Sequence, residues 1–141
     1  MNYAKLEARI RELRERYDLL KQWQDIPKEE FMQDPMKNRA VIRVLQEAIE
    51  VCISIANQIV SEMNYGKPKT YAEAFEILAR HNVIDDDFEK NLERMVGFRN
   101  RIIHRYWEID LEEVWCIFQE RISDFKRFES AILDFIKQLP G

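Results

Sequence analysis

Six polar side chains, Arg99, Asn100, Arg101, His104, Arg105 and Tyr106, fall within eight positions of the stretch GFRNRIIHRYWEID at residues 97–110. An imidazole has a reference pKa of about 6.5, so His104 can give or take a proton near neutrality. Arginine keeps its charge and meets phosphate oxygens through a planar, two-pronged guanidinium. Arg94, Arg99, Arg101, Arg105 and His104 make a local cationic zone in a chain of formal net charge −4, with Tyr106 and Trp107 beside it for stacking. Arginine on phosphate and bases on aromatic rings is how single-stranded RNA is commonly held.

Other chemistry is sparse. His81 is the only other histidine, and no H-E-x-x-H or closely spaced Cys/His set exists, so neither a metal site nor a cofactor is expected, and His81 reads as a surface or capping residue. Asp85, Asp86 and Asp87 read as a solvated helix cap rather than a metal cluster. Cys52 and Cys116 lie between apolar neighbours, which predicts two reduced, buried thiols in a cytosolic protein. A pI near 5.3 excludes nucleic-acid binding by overall charge and leaves only a local basic patch for it. The chain begins without a signal-peptide core and no run approaches the roughly 18 apolar residues that span a bilayer, so the expectation is cytoplasmic with no membrane partner.

Helices must position these groups. With 141 residues, 46% hydrophobic and 34% charged, the chain reads as a single domain over 1–141. Three glycines and four prolines leave few turns for a strand-rich fold. Leu6, Ile10, Leu13, Tyr17 and Leu20 recur at spacings of three and four, which predicts a first helix over 3–24. Pro27 and PKEE end it, and FMQDP reads as a short turn with Asp34 as N-cap and Pro35 as first helical residue. The apolar set from Val41 to Met63 predicts a long central helix from Pro35 to about Met63, stopped at Gly66 and Pro68. Thr70 and Glu73 form a capping-box pattern that opens a third helix over 71–80. Asp85 or Asp86 caps a fourth from about 87. Asp110 with Glu113 caps a last helix, striped by Val114, Phe118, Ile122, Phe125, Phe128, Ile132, Phe135 and Leu139 up to Pro140. The expected fold is all-α: an up-and-down four-helix bundle with one or two additional short helices.

Steps of about 100° around the fourth helix bring Phe88, Leu92, Met95 and Ile102 onto one stripe, and Arg99 lands on it too. An arginine there is costly unless a carboxylate or a solvent-filled groove receives it. His104 points about 140° away from Arg99 on an ideal helix. The two meet only if the helix ends or distorts near 104, or if a twofold-related copy supplies the second set.

Arg99-Asn100-x-x-x-His104-x-Tyr106 resembles the R-x4-H-x-Y signature of the HEPN superfamily, specifically of HepT-like toxins encoded beside a minimal nucleotidyltransferase (MNT) antitoxin. TYAEAFEILARHNVIDDDFEKNLERMVGFRN before the motif and YWEID after it extend the resemblance over nearly the whole chain. It implies a HEPN-like bundle and a metal-independent endoribonuclease toxin of a type VII-like toxin–antitoxin pair. Such toxins work as homodimers, with Arg and His of both subunits lining one cleft. Carried over, Arg99 and His104 are the catalytic pair, one stabilising the phosphate and the other serving as general acid or base. Asn100 orients them. Arg101 and Arg105, from the cationic zone, are candidate RNA-binding residues. Tyr106 resembles the tyrosine that the antitoxin modifies with AMP. The implied partners are RNA, a second copy of the chain and a cognate MNT antitoxin.

Attack of a ribose 2′-hydroxyl on its own phosphorus needs a base, an acid for the departing 5′-oxygen, and positive charge on the equatorial oxygens. One histidine in the motif leaves one proton transfer unassigned, which two His104 side chains across a dimer would supply. A competing reading is a non-catalytic HEPN module that docks a nucleotidyltransferase or binds nucleotide. A third is a purely structural bundle whose arginines only pair with carboxylates.

Overall fold

The first apolar stripe becomes α1 (Tyr3–Trp23), which buries Leu6, Ile10, Leu13 and Leu20. The computed structural model describes residues 1–140, and the chain continues through α2 (Lys28–Gln33), α3 (Pro35–Glu62), α4 (Tyr71–Arg80), α5 (Asp86–His104), a 3-10 turn (Tyr106–Glu108), α6 (Leu111–Glu120) and α7 (Ser123–Gln138). No strand occurs among the described residues. The fold is all-α, with four long helices and three shorter ones.

Side-chain caps set most of the starts. Asp34 accepts from the Met36 N–H at 3.0 Å, Thr70 from the Glu73 N–H at 3.0 Å, Asp85 from the Phe88 N–H at 2.8 Å and Asp110 from the Glu112 N–H at 2.9 Å. Asp85 also takes the Arg127 guanidinium at 2.8 Å. The Phe88 N–H first, then Arg127, hold its carboxyl below the usual carboxylate range. The aspartate run is therefore a helix start.

α3 organises the bundle. Leu45, Ala48, Ile49, Cys52, Ile55, Ala56 and Ile59 are all buried along it, and a helix apolar around most of its circumference must be enclosed. It touches all six other α-helices. Its 28 residues reach about 42 Å and make it the longest helix of the chain.

Three sequence expectations need correction. The segment read as a bare turn before Asp34 is the helix α2, because Phe31 plugs into the core against Trp115 and Phe118, at ring-centroid distances of 5.2 and 6.0 Å. Tertiary burial stabilises a helix too short to persist by propensity. The last helix is two, α6 and α7. At the joint the Asp124 N–H bonds the Arg121 carbonyl and the Phe125 N–H bonds the Ile122 carbonyl, both at 3.0 Å, so the ladder tightens to i→i+3 and the axis turns. Phe118, Ile122 and Phe125 stay buried through the turn, which is why periodicity did not reveal it. Finally, only Cys52 is buried, and burial pushes its thiol pKa up. Cys116 is exposed, two residues along α6 from buried Val114 and so on the opposite face.

Candidate functional site

Arg99 lies on the core-facing side of α5, and its partner is Glu50 of α3. Nε and Nη2 donate to Glu50 Oε2 at 3.2 and 2.9 Å, while Nη1 donates to Asn100 Oδ1 at 3.2 Å. The guanidinium lies over the Tyr71 ring, 5.2 Å from its centroid, an attractive placement of a cation on a π-face. Three contacts from three directions leave the side chain 15% exposed and hold one orientation of its donors. The carboxylate of Glu50 is 35% exposed, so the pair sits at the edge of the core and not within it.

An open cleft of about 680 Å³ begins at this guanidinium. Arg99, Asn100 and His104 line it from α5, opposite Lys69 and Tyr71 at the entry to α4. α5 ends at His104, and Arg105 leaves helical geometry at φ −141° and ψ 44°. Arg99 and His104, which diverge on an ideal helix, border the same space because the cleft spans the broad face between them, where Asn100 and Ile103 also line it. The cleft thus combines a fixed cation, an exposed proton carrier, a lysine and an aromatic face. That set can grip a phosphodiester and move a proton at an adjacent oxygen. Glu50, Lys69 and Tyr71 carry no local sign of this role. Lys69 and Tyr71 flank the Thr70 cap, and Glu50 is one of many α3 residues with no motif around it.

The remaining candidates separate. Arg101 is on another face of α5, paired with Glu113 of α6 at 2.8 Å. It does not line the Arg99 cleft. Arg105 is exposed just past the helix end, and Tyr106 opens the 3-10 turn with 43% of its surface exposed. Trp107 is 80% exposed beside it. His81 caps the C-terminus of α4 and stacks on Tyr65 at 3.6 Å between centroids, a structural placement.

One set of carboxylates can approach a cation: Glu76, Glu89 and Glu93, whose oxygens lie within 4.8 Å of one another where α4 packs on α5. Burial first, and then the charge of Glu93, push the Glu89 carboxyl up to about 7. Its Oε1 is buried with no hydrogen-bond partner. A carboxyl whose pKa is raised in the folded state holds its proton more tightly there, so its contribution to stability is present at low pH and is lost as pH rises from about 4.5 to about 7. Glu89→Gln is expected to exceed wild type in stability at pH 8 by about 1 kcal/mol after solvent screening, and to approach it at pH 5. Thermal melts at the two pH values check this, and superimposable melts at pH 8 refute it.

The family model for ribonuclease HepT-like proteins matches residues 6–132. The mRNA nuclease HepT of Shewanella oneidensis is 37% identical over 103 residues, which are 73% of this chain and 77% of that protein. The tRNA nuclease HepT of Aphanizomenon flos-aquae is 24% identical over 131 residues, 93% of this chain and 89% of that protein. Among solved structures, the tri-AMPylated Shewanella oneidensis HEPN toxin in complex with MNT antitoxin superposes with a TM-score of 0.85 at 31% identity, covering 92% of this chain and 96% of that one.

Proposed function

The chain belongs to the ribonuclease HepT-like family, and on that premise we propose that it is an RNA endonuclease toxin, cutting without a metal ion and silenced by AMP added to a tyrosine. The observation that carries the reading is the shared cleft, in which a guanidinium fixed by Glu50, Asn100 and Tyr71 borders the same open space as an exposed imidazole.

The substrate's own 2′-hydroxyl attacks phosphorus, and the 5′-oxygen of the next nucleotide leaves. His104 removes or supplies one of the two protons involved. Arg99 faces the phosphoryl oxygens on which charge accumulates, and its contacts to Glu50, Asn100 and Tyr71 keep it from following the flexible strand. Asn100 orients Arg99 through the 3.2 Å contact. A homodimer presenting a second His104 to the cleft supplies the other proton transfer. Arg105, exposed at the helix end, can hold a flanking phosphate. Arg101 can reach RNA only by releasing Glu113.

Tyr106, exposed next to the cleft-bearing end of α5, is the proposed acceptor of AMP from a cognate MNT antitoxin. Its oxygen attacks the α-phosphorus of ATP, pyrophosphate leaves, and the new phosphodiester brings negative charge beside Arg105 and His104, where it competes with RNA. No helix among the described residues is long and apolar enough to cross a membrane.

Incubation of the purified protein with total RNA in excess EDTA tests this chemistry. Cleavage should persist in the chelator and leave 2′,3′-cyclic phosphate and 5′-hydroxyl ends. Cleavage abolished by EDTA and restored by a divalent metal would remove the metal-free mechanism, and no cleavage under either condition would leave the docking-module reading in its place.

A further inference from the structure

A second groove, of about 480 Å³, opens on a different face of α5, against α6 and the start of α7. Asp124, in the first turn of α7, lines it and is only 8% exposed. Among the described residues its carboxylate has no hydrogen-bond donor and no ion-pair partner, and burial pushes its pKa up against the opposing charges of Arg121 and Arg127. Its oxygens meet only the water that the groove admits, so a ligand bringing N–H groups there would give this carboxylate the donors that the protein does not supply.

The walls narrow the choice of ligand. Ile117 gives apolar contact, while Phe98 behind it is 1% exposed with the Arg101 guanidinium over its ring. Gly97 leaves the helix backbone bare at the groove wall, although an added Cβ would find only Arg101 Nη1, at an ordinary 3.8 Å. The fold therefore does not need a glycine there for room, and a glycine within a helix weakens it. Arg94 and Arg121 reach into the groove from exposed positions, while the Arg101–Glu113 pair closes another edge. A flat body, an edge with adjacent N–H donors and an anionic end would satisfy all three surfaces. Guanine alone among the common bases places two N–H donors side by side, matching the two oxygens of a carboxylate. Adenine and cytosine offer one amino group beside an acceptor, and uracil places its N–H between two carbonyls.

We infer that this groove binds a guanosine 5′-phosphate unit, with Asp124 accepting from guanine N1–H and the 2-amino group and Arg94 and Arg121 receiving the phosphate. The volume suits one nucleotide. The unit can belong to a free nucleotide or to an RNA strand. The site uses none of the residues proposed for cleavage, so it stands whether or not the chain cuts RNA.

Calorimetric titration of the full-length His104→Ala protein, in which RNA survives, tests it with GMP, IMP, AMP and a short oligoribonucleotide carrying one guanosine or one inosine at the same position. GMP is expected to bind tighter than IMP by about tenfold, since inosine lacks the 2-amino donor, and AMP more weakly still. Asp124→Asn replaces one acceptor by a donor at constant size and should lower guanosine affinity by about tenfold or more, with Gly97→Ala acting in the same direction. Loss with GMP identifies a free nucleotide. The same loss seen only with the oligonucleotide identifies a guanosine within a strand. Equal affinities for GMP and AMP, affinities untouched by Asp124→Asn in a protein with wild-type melting, or no guanosine binding at all would overturn the assignment.

Discussion

Alanine at position 104 is expected to lower RNA cleavage by about 10²–10⁴-fold while leaving the melting temperature close to that of wild type. The activity term follows from the loss of a positioned proton carrier. The stability term follows from exposure: His104 is the last residue of α5, outside the core, and no ion pair or side-chain bond depends on it. Arg99→Ala should act through the other half of the site, losing about 10²–10³-fold as the fixed charge on the phosphoryl oxygens disappears. Arg99→Lys should not restore it, since a point charge on a flexible stem lacks the planar donors that Glu50 and Asn100 now orient. Because Glu50 is 35% exposed, water can reach it once Arg99 is gone, and the stability cost should stay near 1 kcal/mol. Gel assays of cleavage beside chemical denaturation separate the readings. A purely structural arginine would give the reverse split, with a large stability loss and no change in any RNA activity.

Tyr106→Phe is expected to free the toxin from its partner's control. Co-expression of wild type with its cognate MNT antitoxin should yield protein carrying AMP mass on a peptide containing Tyr106, with cleavage silenced. The phenylalanine variant has no oxygen to attack ATP, so it should stay unmodified and keep cutting RNA, stopping growth despite the antitoxin. Its own fold should be unaffected, because Tyr106 is 43% exposed and its ring lies in a short 3-10 turn outside the buried core. Full silencing of Tyr106→Phe by the antitoxin would move the switch to another residue or to simple occlusion by binding.

Much of the scaffold was legible locally. The stripe of Leu6, Ile10, Leu13 and Leu20 gave the first helix within a residue or two, and Asp34, Thr70, Asp85 and Asp110 marked starts that their side chains do cap. These signals are local because a cap acts over two or three residues and a helix repeats every 3.6. The position of Arg99 on the apolar stripe of α5 was local in the same sense, and it pointed to the need for a partner. The joint between α6 and α7 was not legible, since a local tightening of the hydrogen-bond ladder keeps Phe118, Ile122 and Phe125 in phase and needs neither proline nor glycine.

By itself, then, the sequence determined a helical domain, the faces each helix buries, and the motif that joins Arg99, Asn100, His104 and Tyr106 on one segment. Only the tertiary structure decided that Glu50 receives Arg99, that Tyr71 lies beneath it, that Glu113 pairs with Arg101, and that Asp124 lines a groove without a donor from the protein. The physical reason is that a periodic pattern reports which side of a helix is apolar but not which neighbour covers it. Pairings across α3, α4, α5 and α6 are set by how those apolar faces dock, and the charged residues at their edges find partners only once that docking has placed them.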